Sequence, residues 1–422
     1  MGYENLIETR GEKLYYPDFK EKNSSRRWYQ HDIDTIIYSD MFRKMQRKAQ
    51  LLSIYDPVSR SRLIHTFEVV RIAKEISEKL GINTELTEAI ALAHDFGNVA
   101  YGKKAEEFLQ KQTSGVFKHE EVSELMLKVS ASRLIPDKYM KQAKKAIDKN
   151  PSVTHLIKID EFPYQLEVYR IKKKIYYICI SPEVLDGVIK HGTNHCAWTL
   201  EGQVVNYADN IAYLIQDISD FEAANILDAE AKKRYGRCLD DIEDSEFSKQ
   251  FPIKGVVGET TSIRTATLIE RYVLYNKKAR EEGTLPTIKS SFFVKSIPEL
   301  QIEPVLRQAI DRCWEFKSEF YDDALIKVSN IAASSKMKQL WDILEKESEF
   351  VEQNKSFKAF NEELSSPIFM SYKKKKRISD KRWEAWKKAY FVAHLTCDEI
   401  DLIIKSFLER DYEFHLSLPR IM

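Results

Sequence analysis

A chain of 422 residues that is 43% apolar and 31% charged can bury a substantial core and keep a solvated surface, which excludes disordered and collagen-like classes. Lys and Arg (66) and Asp and Glu (65) nearly cancel, so net charge does not draw the chain to nucleic acid or a membrane, and an anionic substrate must be held by local charges. Five widely spaced cysteines without a Cys-x-x-Cys pair read as reduced thiols, and no apolar run approaches the ~18 residues of a membrane span; together these features point to a cytoplasmic protein.

In chain order, Leu63, Ile64, Phe67, Val70, Ile72, Ala73, Ile76 and Leu80 recur at helical spacing, which predicts an amphipathic helix from about Arg62 to Leu80 with Gly81 as its stop. Asn83 or Thr84 can cap a second helix, with Leu86, Ala89, Ile90, Leu92 and Ala93 on its apolar face, the pair His94-Asp95 in its last turn and Gly97 at its end. A third helix is expected over about Val116 to Ser132. The one β signal lies near Leu166 to Ile180, a hairpin turning at Lys172-Lys173-Lys174. Pro182 opens a helix through Lys190, and Leu200 to Ile218 reads as a long helix carrying Asp209. Beyond Asp220 the pattern is helical, and Lys373-Lys374-Lys375-Lys376-Arg377 reads as a solvated loop.

A catalytic metal needs imidazole and carboxylate ligands converging from rigid elements, with one position open. His65, His94, Asp95 and Asp209 can supply such a set from three helices. Neighbouring helical residues point ~100° apart, so His94 and Asp95 share an ion only if it lies off the helix end. Taken singly, His65 reads as a hydrogen-bonded core histidine and Asp209 as a cap or ion-pair partner; the ordered combination favours a metal. Mixed nitrogen and oxygen donors suit one divalent ion, manganese, magnesium, iron or zinc.

The motifs Phe42-Arg43-Lys44-Met45-Gln46-Arg47-Lys48-Ala49-Gln50, Arg60-Ser61-Arg62-Leu63-Ile64-His65, His94-Asp95-Phe96-Gly97-Asn98, Phe117-Lys118-His119-Glu120 and Leu200-Glu201-Gly202-Gln203 through Tyr213 resemble, in order, those of the dGTPase-like deoxynucleoside triphosphate triphosphohydrolases of the HD superfamily. Phe391 to Thr396 is a weaker echo of a late family element. The resemblance covers about residues 38 to 220. It implies a mainly α fold: an N-terminal arm (1–37), a helical HD core (38–230) with the small hairpin near 166–180 inserted, and a helical C-terminal region (231–422) that completes the site or an oligomer interface.

The resemblance further implies hydrolysis of a dNTP to deoxynucleoside and inorganic triphosphate, with water attacking the α-phosphorus. His119 becomes the catalytic histidine beside the leaving 5′-oxygen and Glu106 its acidic partner. Arg62 becomes a phosphate ligand, Tyr213 and Asp217 lie near the sugar, and Gln50 partners the 3′-hydroxyl. A homo-oligomer, tetramer or hexamer, is implied as well, with room for an activating nucleotide and a role in nucleotide-pool control or phage defence. Two departures stand out: Lys103 replaces a second histidine, where it can still bind substrate phosphate, and both prolines of the Gly97 to Lys103 loop are missing. They keep two other readings open, an HD phosphodiesterase or nucleotidase acting on another nucleotide and a nucleotide-sensing HD protein of weak activity.

Overall fold

The computed structural model describes residues 28–51, 60–159, 165–192, 195–238, 261–283, 299–320, 323–346, 354–409 and 416. Within them the fold is mainly α, with one small antiparallel sheet. Helices α1 (Trp28–Ile37) and α2 (Asp40–Lys44) lead through a 3-10 turn (Met45–Arg47) to an isolated bridge between Ala49 and Ser61. Helix α3 (Arg62–Leu80) has the expected ends: the Ser61 hydroxyl accepts from Ile64 N, and Gly81 caps the C-terminus at φ 68°, a left-handed conformation that costs glycine little.

Asn83 caps α4 (Thr84–Ala93) by accepting from Leu86 N. This helix stops at Ala93, so His94 and Asp95 lie just past its end and not, as the sequence suggested, in its last turn. The Ser123 hydroxyl donates to the His94 carbonyl (2.9 Å) and accepts from Gly97 N (2.8 Å), so the backbone groups around the pair bond across to another helix instead of continuing their own. That partner, α6 (His119–Ser130), follows α5 (Gly102–Gln112) and begins three residues later than expected, because Phe117 N donates to the Thr113 hydroxyl (3.0 Å).

The hairpin β3 (Leu166–Ile171) and β4 (Lys174–Ile178) turns at Lys172-Lys173 and forms the centre of a sheet ordered β1-β4-β3-β2. The outer strands β1 (Ser132–Leu134) and β2 (His155–Ile157) have three residues each, too few to display alternation in a sequence. Between β1 and β2 runs α7 (Met140–Ile147), whose Ala143 and Ile147 pack with Ile157, Leu166, Val168 and Ile175 in a small second core.

Helices α8 (Pro182–Lys190) and α9 (Leu200–Ala223) pack on α4, and α9 also lies along α3, so the faces carrying His65, His94 and Asp209 meet. After α10 (Ala229–Arg237) come α11 (Thr261–Glu281), α12 (Pro304–Phe320), α13 (Ala324–Lys346), α14 (Lys355–Glu363), α15 (Pro367–Lys376), α16 (Asp380–Ala393) and α17 (Cys397–Glu409). Among the described residues the main core draws its members from along the chain, from Tyr29 to Leu416. The basic run is not a loop: Lys373 to Lys376 form the last turn of α15 and Arg377 caps it. Cations suit a helix C-terminus, and Lys376 donates to Glu121 (2.5 Å) while Lys373 donates to Asp380 (2.5 Å). Among the described residues no helix is long and apolar enough to cross a membrane.

Candidate metal centre and its surroundings

Three helices and one turn converge on a buried polar cluster. His65, at the start of α3, and His94 are fully buried, and Asp95 and Asp209 nearly so. One ligand atom from each of His65, His94 and Asp95 lies within 4.8 Å of the others. From α9, Asp209 Oδ1 sits 2.9 Å from His65 Nε2 and 3.7 Å from His94 Nε2. The sequence-expected ligands are thus brought together. His94 Nδ1 is held by the Ala91 carbonyl at 2.7 Å, while His94 Nε2 has no hydrogen-bond partner. A buried, partnerless nitrogen opposite two carboxylates is what a divalent cation would satisfy, and the N,N,O,O donor set fits one.

The electrostatics follow from this crowding. Burial opposes charge on His94, but Asp95 and Asp209 overcome it and raise its pKa to about 9. Burial likewise opposes ionisation of Asp95, and His94 and Arg62 reverse that, holding the carboxyl well below the usual range. Asp209 is held low against its burial by its hydrogen bond to His65 and by the nearby charge of His94. The cluster is therefore ionised and poised around positive charge.

Arg62, buried at the first turn of α3, donates from Nη1 to Asp95 Oδ2 (3.0 Å) and to the Tyr213 hydroxyl (2.8 Å). The Asn98 side-chain amide makes a short bond to Asp95 Oδ1. On the opposite side, His119 Nδ1 pairs with Glu106 Oε1 at 2.8 Å. Burial works against the charged ring, and the Glu106 carboxylate overrides it, raising the His119 pKa to about 9.

Gly97 makes this closeness possible. A Cβ at Gly97 would collide with the His119 carbonyl and lie 2.6 Å from Ser123 N, so only glycine lets the N-terminus of α6 press against the His94-Asp95 turn.

Gln50 is buried, and neither atom of its amide has a partner among the described residues. The backbone around it is tied to the rest of the chain: Arg62 N donates to the Lys48 carbonyl, and Lys48 Nζ donates to the carbonyls of Asn98 (2.6 Å) and Ala393 (2.7 Å). The weak late motif around Phe391 to Thr396 thus buttresses the Gln50 segment. Asp217 is fully buried and engaged by Arg60 Nη2 (2.6 Å) and Lys317 Nζ (2.5 Å), so a sugar hydroxyl would have to share its carboxylate with two cations. Lys103 stands exposed on the first turn of α5, outside the buried cluster, with its charge felt by Lys317.

Two residues escaped the sequence reading. Lys317 comes from α12, which carries no recognisable motif. His191 follows the last residue of α8 and sits 3.8 Å from Asp95 Oδ1 through its Nε2. Its one available signal was position: like His94, it stands at a helix end shortly before a glycine, here Gly192.

The HD domain family model matches residues 62–214, the span that holds every residue of the cluster. The deoxyguanosinetriphosphate triphosphohydrolase-like protein of Caldanaerobacter subterraneus subsp. tengcongensis is 29% identical over 289 residues, covering 65% of this chain and 73% of that protein. Its namesake in Clostridium perfringens (strain SM101 / Type A) is 35% identical over 216 residues, 50% of this chain and 51% of the relative. A third, from Clostridium tetani, is 32% identical over 203 residues, covering 46% of each. Against these clostridial relatives the chain spans about half of their length. The chain is thus similar to the HD domain family over residues 62–214 and, within that span and beyond it, to deoxyguanosinetriphosphate triphosphohydrolase-like proteins.

Proposed function

We propose that this chain is a divalent-metal-dependent phosphohydrolase that splits a deoxynucleoside triphosphate into the deoxynucleoside and intact inorganic triphosphate, lowering the dNTP pool for pool control or to starve phage replication. The observation that carries this reading is the convergence, in one buried cluster, of the His65, His94, Asp95 and Asp209 donor set, the Arg62 guanidinium and the His119-Glu106 pair. A divalent ion held by His65, His94, Asp95 and Asp209 supplies positive charge for phosphoryl oxygens and makes water easier to deprotonate.

The chain's own groups account for the rest. Arg62 is permanently charged and desolvated, which strengthens its bond to a phosphate oxygen, and its guanidinium has donors to spare beyond those given to Asp95 and Tyr213. Lys103, exposed near Lys317, adds a cation for the outer phosphates. Gln50 offers an amide N–H and a carbonyl oxygen, both without partners, to a sugar 3′-hydroxyl, which can both accept and donate. Tyr213 packs its ring 4.7 Å from that of His65 and walls the sugar side. His119, kept protonated at neutral pH by Glu106, meets the negative charge that grows on the 5′-oxygen as its bond to phosphorus breaks.

The test is product analysis. Purified protein with Mn or Mg is incubated with each dNTP, singly and mixed, and the products are separated by chromatography. Deoxynucleoside and triphosphate are expected, and His119→Ala should lower turnover by ~10²–10⁴-fold. Release of dNMP with pyrophosphate, or no consumption of any dNTP under any condition, overturns the reading.

A further inference from the structure

The loop from Gly97 to Lys103 leads from the His94-Asp95 turn to α5 and contains no proline to restrain its path. Its residues Tyr101 and Gly102 both take the left-handed conformation, at φ 64° and 69°. Glycine accepts that readily, whereas a bulky aromatic residue stays there only where its surroundings hold it.

Tyr101 is held at the far end of its ring. The residue is buried, and its hydroxyl donates to Asp401 Oδ1 (2.8 Å) on α17, with the Cys397 carbonyl 3.1 Å away. Lys336 of α13 donates to the same hydroxyl (3.3 Å) and to Asp401 Oδ2 (2.8 Å), and its Nζ stands 5.0 Å from the centre of the Tyr101 ring. Burial, reinforced by Asp401, pushes the phenol pKa up, so the hydroxyl keeps its proton. One side chain ties the loop to two helices that contribute no residue to the metal cluster.

Its place in the chain gives the tie a consequence. Tyr101 immediately precedes α5, and Glu106, in the next turn, is the group that holds His119 at 2.8 Å. Earlier in the loop Asn98 is already fixed, by Lys48 on its carbonyl and by Asp95 on its amide. Val99 and Ala100 have no polar side-chain atoms, so the next side chain able to hydrogen-bond is that of Tyr101. Farther on, Phe108 packs edge-on to Trp341 of α13. Apolar contact is non-directional, so it leaves the rotation of α5 about its axis to the hydrogen bonds at its start. We propose that Tyr101 is a positioning residue: by latching onto Asp401 and Lys336 it fixes the start of α5 and with it the angle at which Glu106 meets His119. The proposal rests on the His119-Glu106 pair serving the reaction proposed above.

The experiment has a kinetic arm and an exchange arm, both on the full chain. Tyr101→Phe removes the hydroxyl and keeps the ring; on a dNTP that the product analysis finds consumed it should lower kcat by about 10-fold, the scale of one hydrogen bond to a charged group, and leave KM within about twofold. Asp401→Ala, which alters the latch from its solvent side and serves if the first variant does not fold, should give the same loss, and the double variant no more than either alone. In a Glu106→Ala background Tyr101→Phe should cost nothing further, whereas a general loosening of the fold would cost the same in both backgrounds. In hydrogen–deuterium exchange read by mass spectrometry, both variants should exchange the amides of Glu106 to Gln110 ~10-fold faster than wild type, with those of α3 unchanged. Unchanged kcat in Tyr101→Phe, a rise in KM in place of the loss in kcat, an equal loss with and without Glu106, or unchanged exchange in α5 overturns the latch. Exchange is read without turnover, so if no dNTP is consumed the proposed reaction fails in the products and the exchange arm alone decides the latch.

Discussion

Gly97→Ala is the sharpest test of how the fold assembles the site. The new Cβ would overlap the His119 carbonyl and stand 2.6 Å from Ser123 N and 2.9 Å from Val122 Cβ. Two of these obstacles are backbone atoms and cannot rotate away. Ordinary contact needs ~3.5–4.0 Å, so the N-terminus of α6 must retreat by about 1 Å, carrying His119 away from Asp95. Overpacking of this kind costs ~1–3 kcal/mol, and a misplacement of ~1 Å at reacting groups costs ~10²-fold in rate. Gly81→Ala is the matched control: nothing lies within 4 Å of its Cβ, its φ of +68° penalises alanine, and it caps the far end of α3. The two ends of that helix are ~28 Å apart at 1.5 Å per residue. Both variants should melt earlier than wild type, but only Gly97→Ala should lose kcat, by ~10²-fold, in the chromatographic triphosphate assay. Wild-type turnover in Gly97→Ala, or an equal loss in both variants, would refute the claim that this close approach sets the site.

Three further outcomes are expected. Asp209→Ala should remove the ion held with His65, His94 and Asp95 while the helical circular dichroism signal persists; full retention of bound metal would show that Asp209 is not a ligand. Gln50→Ala should raise KM for a dNTP several-fold more than for its 3′-deoxy analogue, since only the former loses a buried partner; equal losses would assign Gln50 a structural role. Glu183 is pushed up to about 8 by burial, with Asp32 and Asp186 adding to the rise, from a model-peptide value of 4.5. Its folded-state pKa lies above its unfolded one, so its stabilising contribution is complete below pH 4.5 and is lost as pH rises through about 8. The loss runs at up to ~1.4 kcal/mol per pH unit within that window. Glu183→Gln cannot ionise, so its melting temperature relative to wild type should climb from pH 5 to pH 8 and then level off; parallel profiles would contradict the raised pKa.

The sequence by itself determined the elements whose signals are local. Helical periodicity and the caps Ser61, Gly81 and Asn83 placed α3 and the start of α4, since a cap needs only its own turn. The β3-β4 hairpin was readable for the same reason, while β1 and β2 form only by pairing with it. The ordered motifs named the groups that turn out to be neighbours, His65, His94, Asp95, Asp209, His119 and Glu106, because such side chains leave their mark in residue type. Only the tertiary structure decided the rest. The end of α4 at Ala93 depends on Ser123, 29 positions from His94. The burial of Asp217 between Arg60 and Lys317 depends on α12, about a hundred residues away. Lys373 to Lys376 close a helix because Glu121 and Asp380 await two of them. His191 enters the cluster because α8 packs against α4 and α6. Each of these results requires a partner distant in the chain, and a distant partner leaves no periodicity or spacing in the residues it acts upon.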